Sequence, residues 1–141
     1  MKKKNQNYNC PVSTALNIIG GKYKTLILWH LLNGTLRFSG LKKLIPGVTA
    51  KMLTQQLKEL ENNALISRKV FPVVPPKVEY SLTQEGKTLK PVLSAMFAWG
   101  SGYLKLKGLT PNCTMITAAK EKKTGGRHVC LNIYQGKKHV R

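Results

Sequence analysis

Residues 49–63, TAKMLTQQLKELENN, constrain this chain more tightly than any other stretch, because only a helix sorts them by polarity. At 3.6 residues per turn Leu53, Leu57 and Leu60 form one stripe, while Lys51, Gln55, Lys58 and Asn62 fall on the opposite face. Thr49 is a suitable N-cap for that helix. Just upstream, Leu41, Leu44 and Ile45 predict a shorter helix with Ser39 as its cap, and Pro46-Gly47-Val48 predicts a turn between the two. Two helices joined by a tight turn containing Gly have the spacing of a helix-turn-helix, whose second helix enters the DNA major groove.

The segments around this pair complete the order. Pro11 at a first helical position, the spacing of Val12, Ala15, Leu16 and Ile19, and the Gly20-Gly21 stop predict a first helix. Tyr23 to Leu32 is apolar nearly all round and predicts the most buried helix, ended by Asn33-Gly34. Leu36 to Phe38 suits a short strand. After the long amphipathic helix, Leu65 to Phe71 and Val78 to Leu82 read as two strands, with Pro72, Pro75 and Pro76 and then Lys77 in the connection. Thr83 is expected to cap a final helix carrying Leu89, Val92, Leu93, Met96, Phe97 and Trp99, kinked at Pro91. The expected class is mainly α with a small β-hairpin (α+β), in the order of a winged helix. A proline-stiffened tip loses less entropy when it is held against a phosphate backbone, and the same prolines also protect an exposed edge from pairing.

The chain carries 24 Lys+Arg against 5 Asp+Glu, a net charge of +19 that favours a polyanionic partner. Double-stranded DNA is the first candidate and an anionic membrane surface the second, although the apolar faces are already committed to a core. No apolar run approaches the roughly 20 residues that span a bilayer, and Lys2 to Lys4 lead into a polar stretch, so a cytoplasmic protein is expected. Cys10, Cys113 and Cys130 are too few and too scattered for a secreted disulfide framework. Glu59, Glu61, Glu79, Glu85 and Glu121 offer no evident catalytic pair and there is no nucleophile elbow, which argues against a hydrolytic enzyme.

The motifs Cys-Pro-Val, Gly-Gly-Lys, Arg-Phe-x-x-Leu, Leu-Thr-x-x-Leu-x-x-Leu, Pro-Pro-x-Val-x-Tyr-x-Leu-Thr and Trp99 occur in order over about residues 8 to 103. In these the chain resembles the HxlR family of bacterial winged helix-turn-helix transcriptional regulators. The resemblance implies a domain over 8–104 and no enzymatic activity. It also implies a homodimer formed mainly by the first and last helices, binding an inverted repeat to repress or activate nearby genes.

For base reading the expected residues are Gln55 and Lys51, then Thr54 and Lys58, because they point away from the leucine stripe. An amide pairs bidentately with adenine and a lysine donates to guanine acceptors; the same face also fits a solvated helix surface. Arg37, Ser39, Lys42 and Lys43 beside the first helix of the motif, and Arg68, Lys69 and Lys77 around the wing, are expected on phosphate. Cys10 falls at the cap of the first helix, where the helix dipole and the nearby lysines favour thiolate. Some members of the resembled family use a cysteine at this position to sense oxidants or electrophiles, which makes Cys10 the redox-sensing candidate; the alternative is a quiet packing role at a dimer surface.

Neither metal nor cofactor is expected. His30, inside an apolar helix, reads as a satisfied buried or half-buried side chain and not a ligand. Met52, Met96 and the aromatics Phe97, Trp99 and Tyr103 read as core or dimer surface and not a cofactor box. Residues 105–141 form a basic tail with Glu121 as its single acid, and Gly125-Gly126 and the charges argue for a disordered segment. Its Cys113, His128, Cys130 and His139 lack the close Cys-x-x-Cys spacing of structural zinc sites. The competing function is a basic nucleic-acid-binding protein without sequence preference, which would share the charge without needing the paired helices.

Overall fold

The computed structural model describes residues 10–111. Cys113, His128, Cys130, His139, Lys2 to Lys4 and most of the tail therefore lie outside the described residues. The chain divides into two compact units, the first ending at Gly86 and the second beginning at Lys87.

In the first unit, α1 (Pro11–Ile19) starts with its proline in the first turn and ends at Gly20, and Thr25 Oγ1 donates to the Ile19 carbonyl to fix the entry into α2 (Lys24–Leu31). Ile27, Leu28 and Leu31 of α2 are almost fully buried, as its all-round apolar character predicts. β1 (Leu36–Arg37) leads directly into α3 (Phe38–Leu44), and α4 (Ala50–Asn62) follows across the Pro46-Gly47 turn. β2 (Ile66–Phe71) and β3 (Lys77–Leu82) form the hairpin, and α5 (Gln84–Lys87) is a single turn after it. The core is Ile27, Leu28, Leu41, Ile45, Leu53, Leu57, Leu60 and Ile66, where α2 packs against α3, α4 and β3. This is the α+β winged helix-turn-helix that the sequence predicts.

The hairpin is part of a three-stranded antiparallel sheet of order β1-β3-β2. Leu36 pairs with Tyr80 and Arg37 with Glu79, so the short strand before α3 ties the start of the helix pair to the root of the wing. That pairing corrects one expectation. Ser39 does not cap α3; the backbone stays extended through Arg37, which takes the cap position without a side-chain hydrogen bond, and the helix begins at Phe38.

The second unit contains α6 (Lys90–Leu106), which reaches two residues into the segment assigned to the tail. Here too an expectation is corrected. Thr83 does cap a helix, accepting from the Gly86 amide at 3.1 Å, but that helix is the short α5. Pro91 then stands in the first turn of a new helix and kinks nothing, because a first-turn residue has no intrahelical acceptor for the N–H that proline lacks.

Candidate nucleic-acid interface

The candidate recognition face is set by α4. Thr49 holds its N-terminus, its Oγ1 accepting from the Met52 amide at 3.1 Å from an extended cap conformation. The turn before it bends at Gly47, whose φ of 78° suits glycine, and Tyr23 of the first unit donates its hydroxyl to the Gly47 carbonyl at 3.4 Å. With Leu53, Leu57 and Leu60 buried, Lys51, Thr54, Gln55 and Lys58 all stand exposed on the other side.

They are not equivalent. Thr54 donates to the Ala50 carbonyl of its own helix at 2.8 Å, so its hydroxyl keeps only acceptor capacity outward. Gln55 Nε2 donates to Glu59 Oε1 at 3.3 Å, and Glu59 Oε2 is paired at 2.5 Å with Lys24 of α2. The Lys24 ammonium, and after it the Gln55 amide, hold the Glu59 carboxyl below the usual carboxylate range. Glu59 and Lys24 did not figure among the expected site residues. The four-residue offset of Gln55 and Glu59 on α4 was a signal for one half of this arrangement; Lys24 arrives from another helix and left none.

On the wing, strand register decides which basic groups act together. Residues directly opposite in an antiparallel pair share a face, and so do residues two apart. Arg37 and Lys69 both oppose Glu79, and Lys77 opposes Phe71, so Arg37, Lys69, Phe71, Lys77 and Glu79 occupy one face. The Lys69 and Lys77 ammoniums lie 4.9 and 4.7 Å from the Phe71 ring centroid, one cation from each strand on one aromatic. Lys77 also pairs with Glu79 at 2.8 Å. Arg68 opposes Tyr80 and belongs to the other face, so the three basic residues expected around the wing are not one cluster. At the tip Val74 is fully exposed between Pro72 and Pro76, with a cis Val74–Pro75 peptide bond. Arg37, Ser39, Lys42 and Lys43 are likewise exposed at the start and end of α3.

Cys10 occupies the N-cap position of α1, half-buried, with its carbonyl accepting from the Thr14 amide at 2.9 Å. Trp99 and Tyr103 stack on α6 with centroids 5.5 Å apart; Trp99 is largely exposed and Tyr103 about half, and Val12 and Leu16 on α1 are largely exposed, so these residues are not core. His30 is buried in α2. Among the described residues no helix is long and apolar enough to cross a membrane.

Residues 18–108 match the family model described as HxlR-like helix-turn-helix. The HTH-type transcriptional regulator YdeP of Bacillus subtilis (strain 168) is 54% identical over 94 residues, covering 67% of this chain and 73% of that protein. Among solved structures, the HTH-type transcriptional regulator ytcD is 48% identical with a TM-score of 0.65, covering 68% of this chain and 98% of that one. The redox regulator HypR in its oxidized form is 45% identical with a TM-score of 0.64, covering 66% of this chain and 96% of that one.

Proposed function

The chain belongs to the HxlR-like helix-turn-helix family, whose matching members are named transcriptional regulators and not enzymes, and from that premise we propose that it is a cytoplasmic, sequence-specific DNA-binding regulator acting as a homodimer on an inverted repeat. The observation that carries this reading is the exposed face of α4, where Lys51, Gln55 and Lys58 stand over a buried leucine stripe as the second helix of the pair. Lysine donates to guanine O6 and N7 and the glutamine amide matches adenine N6 and N7, so these groups carry sequence information. Arg37, Lys42, Lys43, Lys69 and Lys77, with Arg68 and Ser39, supply phosphate contacts that fix register and make binding salt-dependent.

Two apolar helix surfaces support the dimer. Val12 and Leu16 on α1 are 68% and 63% exposed, and Trp99 and Leu106 on α6 are 72% and 86% exposed. Side chains of this size are rarely left in water in such number on a monomer, and a second copy of the chain is the partner that a palindromic operator requires. The domain then spans 8–104, with 105–141 as a basic tail.

Cys10 serves this reading as a redox or electrophile sensor. Its position at the N-terminus of α1 favours thiolate, and the likeness to a redox regulator supports the role. Alkylation of Cys10 lowers DNA affinity on this account, and an unchanged affinity would remove the sensor role alone.

Selection from a random duplex pool at roughly physiological salt tests the function as a whole. Enrichment of an inverted repeat with half-sites about one helical turn apart is expected. Retention of duplex with no enriched sequence would replace this reading with that of a general basic nucleic-acid binder.

A further inference from the structure

Gln55 is not a free amide on the surface of α4. Its Nε2 donates to Glu59 Oε1, and the other carboxylate oxygen of Glu59 is held by Lys24 from α2. A carboxylate only accepts hydrogen bonds, so it admits one orientation of the neighbouring amide, with the nitrogen toward Glu59 and the oxygen away. One N–H and both lone pairs of Oε1 then remain for DNA. That is the complement of an adenine edge, which needs one acceptor for N6–H and one donor for N7.

We propose that Glu59 is a positioning residue for base reading: anchored by Lys24, it fixes which way the Gln55 amide faces and thereby sets the base preference at the position Gln55 reads. The inference rests on the α4-reading function proposed above. An exposed glutamine loses rotamer freedom when it binds, and it can present its amide either way round. The Glu59 contact removes both problems before DNA arrives, since a side chain already held in one conformation has less entropy to lose on association. The Lys24 ammonium has a second consequence. It offsets the carboxylate charge that would otherwise face a phosphate backbone, which lets an acid sit on a recognition helix at little cost to affinity. Two of the 5 acidic residues of the chain, Glu59 and Glu61, lie on α4, and of the two Glu59 is the one held by Lys24 and Gln55.

The test uses the duplex enriched by the full chain. Every base of one half-site is changed in turn to the other three, and competition affinities are measured for the natural protein, Gln55→Ala, Glu59→Gln, Glu59→Ala and the double variant Gln55→Ala with Glu59→Gln. Glu59→Gln keeps the shape but can donate as well as accept, so it no longer dictates the amide's direction. Expected is a loss of about ten-fold in discrimination, the low end of what a bidentate contact supplies, at the one position that Gln55→Ala also flattens. The double variant then matches Gln55→Ala alone. Glu61→Gln removes the same charge from an exposed site on the same helix and leaves the profile unchanged. The inference is overturned if the Glu59 variants leave the profile intact, flatten a position that Gln55 does not read, add to the effect of Gln55→Ala, or are matched by Glu61→Gln. Each outcome presupposes an enriched motif. If the natural protein enriches none, the regulator reading fails and this inference with it; a motif that Gln55→Ala leaves intact sinks the inference while the regulator reading stands.

Discussion

Among the described residues Ala64 is the one non-glycine with a positive φ. It closes α4 with a φ of 57°, its amide donating to the Glu61 carbonyl at 2.9 Å and the next amide, Leu65, reaching back to the Leu60 carbonyl at 3.0 Å. That is the helix-ending arrangement in which glycine is the usual occupant, and a Cβ in the left-handed region costs on the order of 1–2 kcal/mol. The position is nevertheless well held, because the Thr83 hydroxyl donates to the Ala64 carbonyl while accepting from the Gly86 amide. Replacing Ala64 with glycine relieves the strain but adds unfolded-state entropy, so a net stabilisation of about 0.5–1 kcal/mol is expected in urea unfolding. A loss of stability would show that the αL conformation is not where the strain lies. The Leu-Ile run after ENNA gave no sign of this in the sequence, since alanine is a good helix former and nothing local marks it as a stop. Glu59 was similarly opaque: its proposed role depends on an ion pair from a helix more than 30 residues earlier in sequence.

At the scale of elements, the helices and strands whose polarity repeats with their own period were legible, and the boundaries set by tertiary pairing were not. The leucine stripe and Thr49 cap of α4 were readable because each is a local pattern. The Arg37 cap of α3 was not, because β1 stays extended to pair with β3, a partner more than 40 residues away. Likewise Pro91 looks the same in sequence whether it kinks one helix or begins another, and the break comes from α5 closing on Thr83. The wing residues were found one by one, but their division between two faces follows from register. α2 adds a pH dependence of its own. Burial lowers the pKa of His30 from its ordinary 6.5, so around that pH the unfolded chain binds the proton more readily than the fold does. Stability from this group is complete above the unfolded value and declines as pH falls below it toward the folded value. Thermal unfolding should therefore lose midpoint as pH falls below the ordinary imidazole value of 6.5, and His30→Phe should flatten that part of the curve. An unchanged slope in the variant would assign the pH dependence to other groups.

At the scale of the whole molecule three features act together: a net charge of +19, a candidate reading helix presented by a buried leucine stripe, and exposed apolar residues on α1 and α6, which the proposed second copy would cover. The charge and the reading helix were apparent in the sequence; the exposure of Leu16 and Trp99 was not, because an apolar residue in a helix looks the same whether it faces a core or a partner. Leu16→Glu and Trp99→Glu place charge on these surfaces, and sedimentation should find monomers that keep their helical content yet bind an inverted-repeat duplex at least about ten-fold more weakly. A dimer that survives both changes would move the interface elsewhere. The central claim is that the exposed face of α4 reads sequence, and the most direct measurement compares the natural protein with Gln55→Ala on the enriched duplex and on a scrambled duplex of equal length, at about 0.15 M salt. The account predicts that the natural protein prefers the enriched duplex by roughly a thousand-fold or more, and that Gln55→Ala loses about 1–3 kcal/mol on it while binding the scrambled duplex unchanged. Equal losses on both duplexes, or no preference in the natural protein, would contradict it.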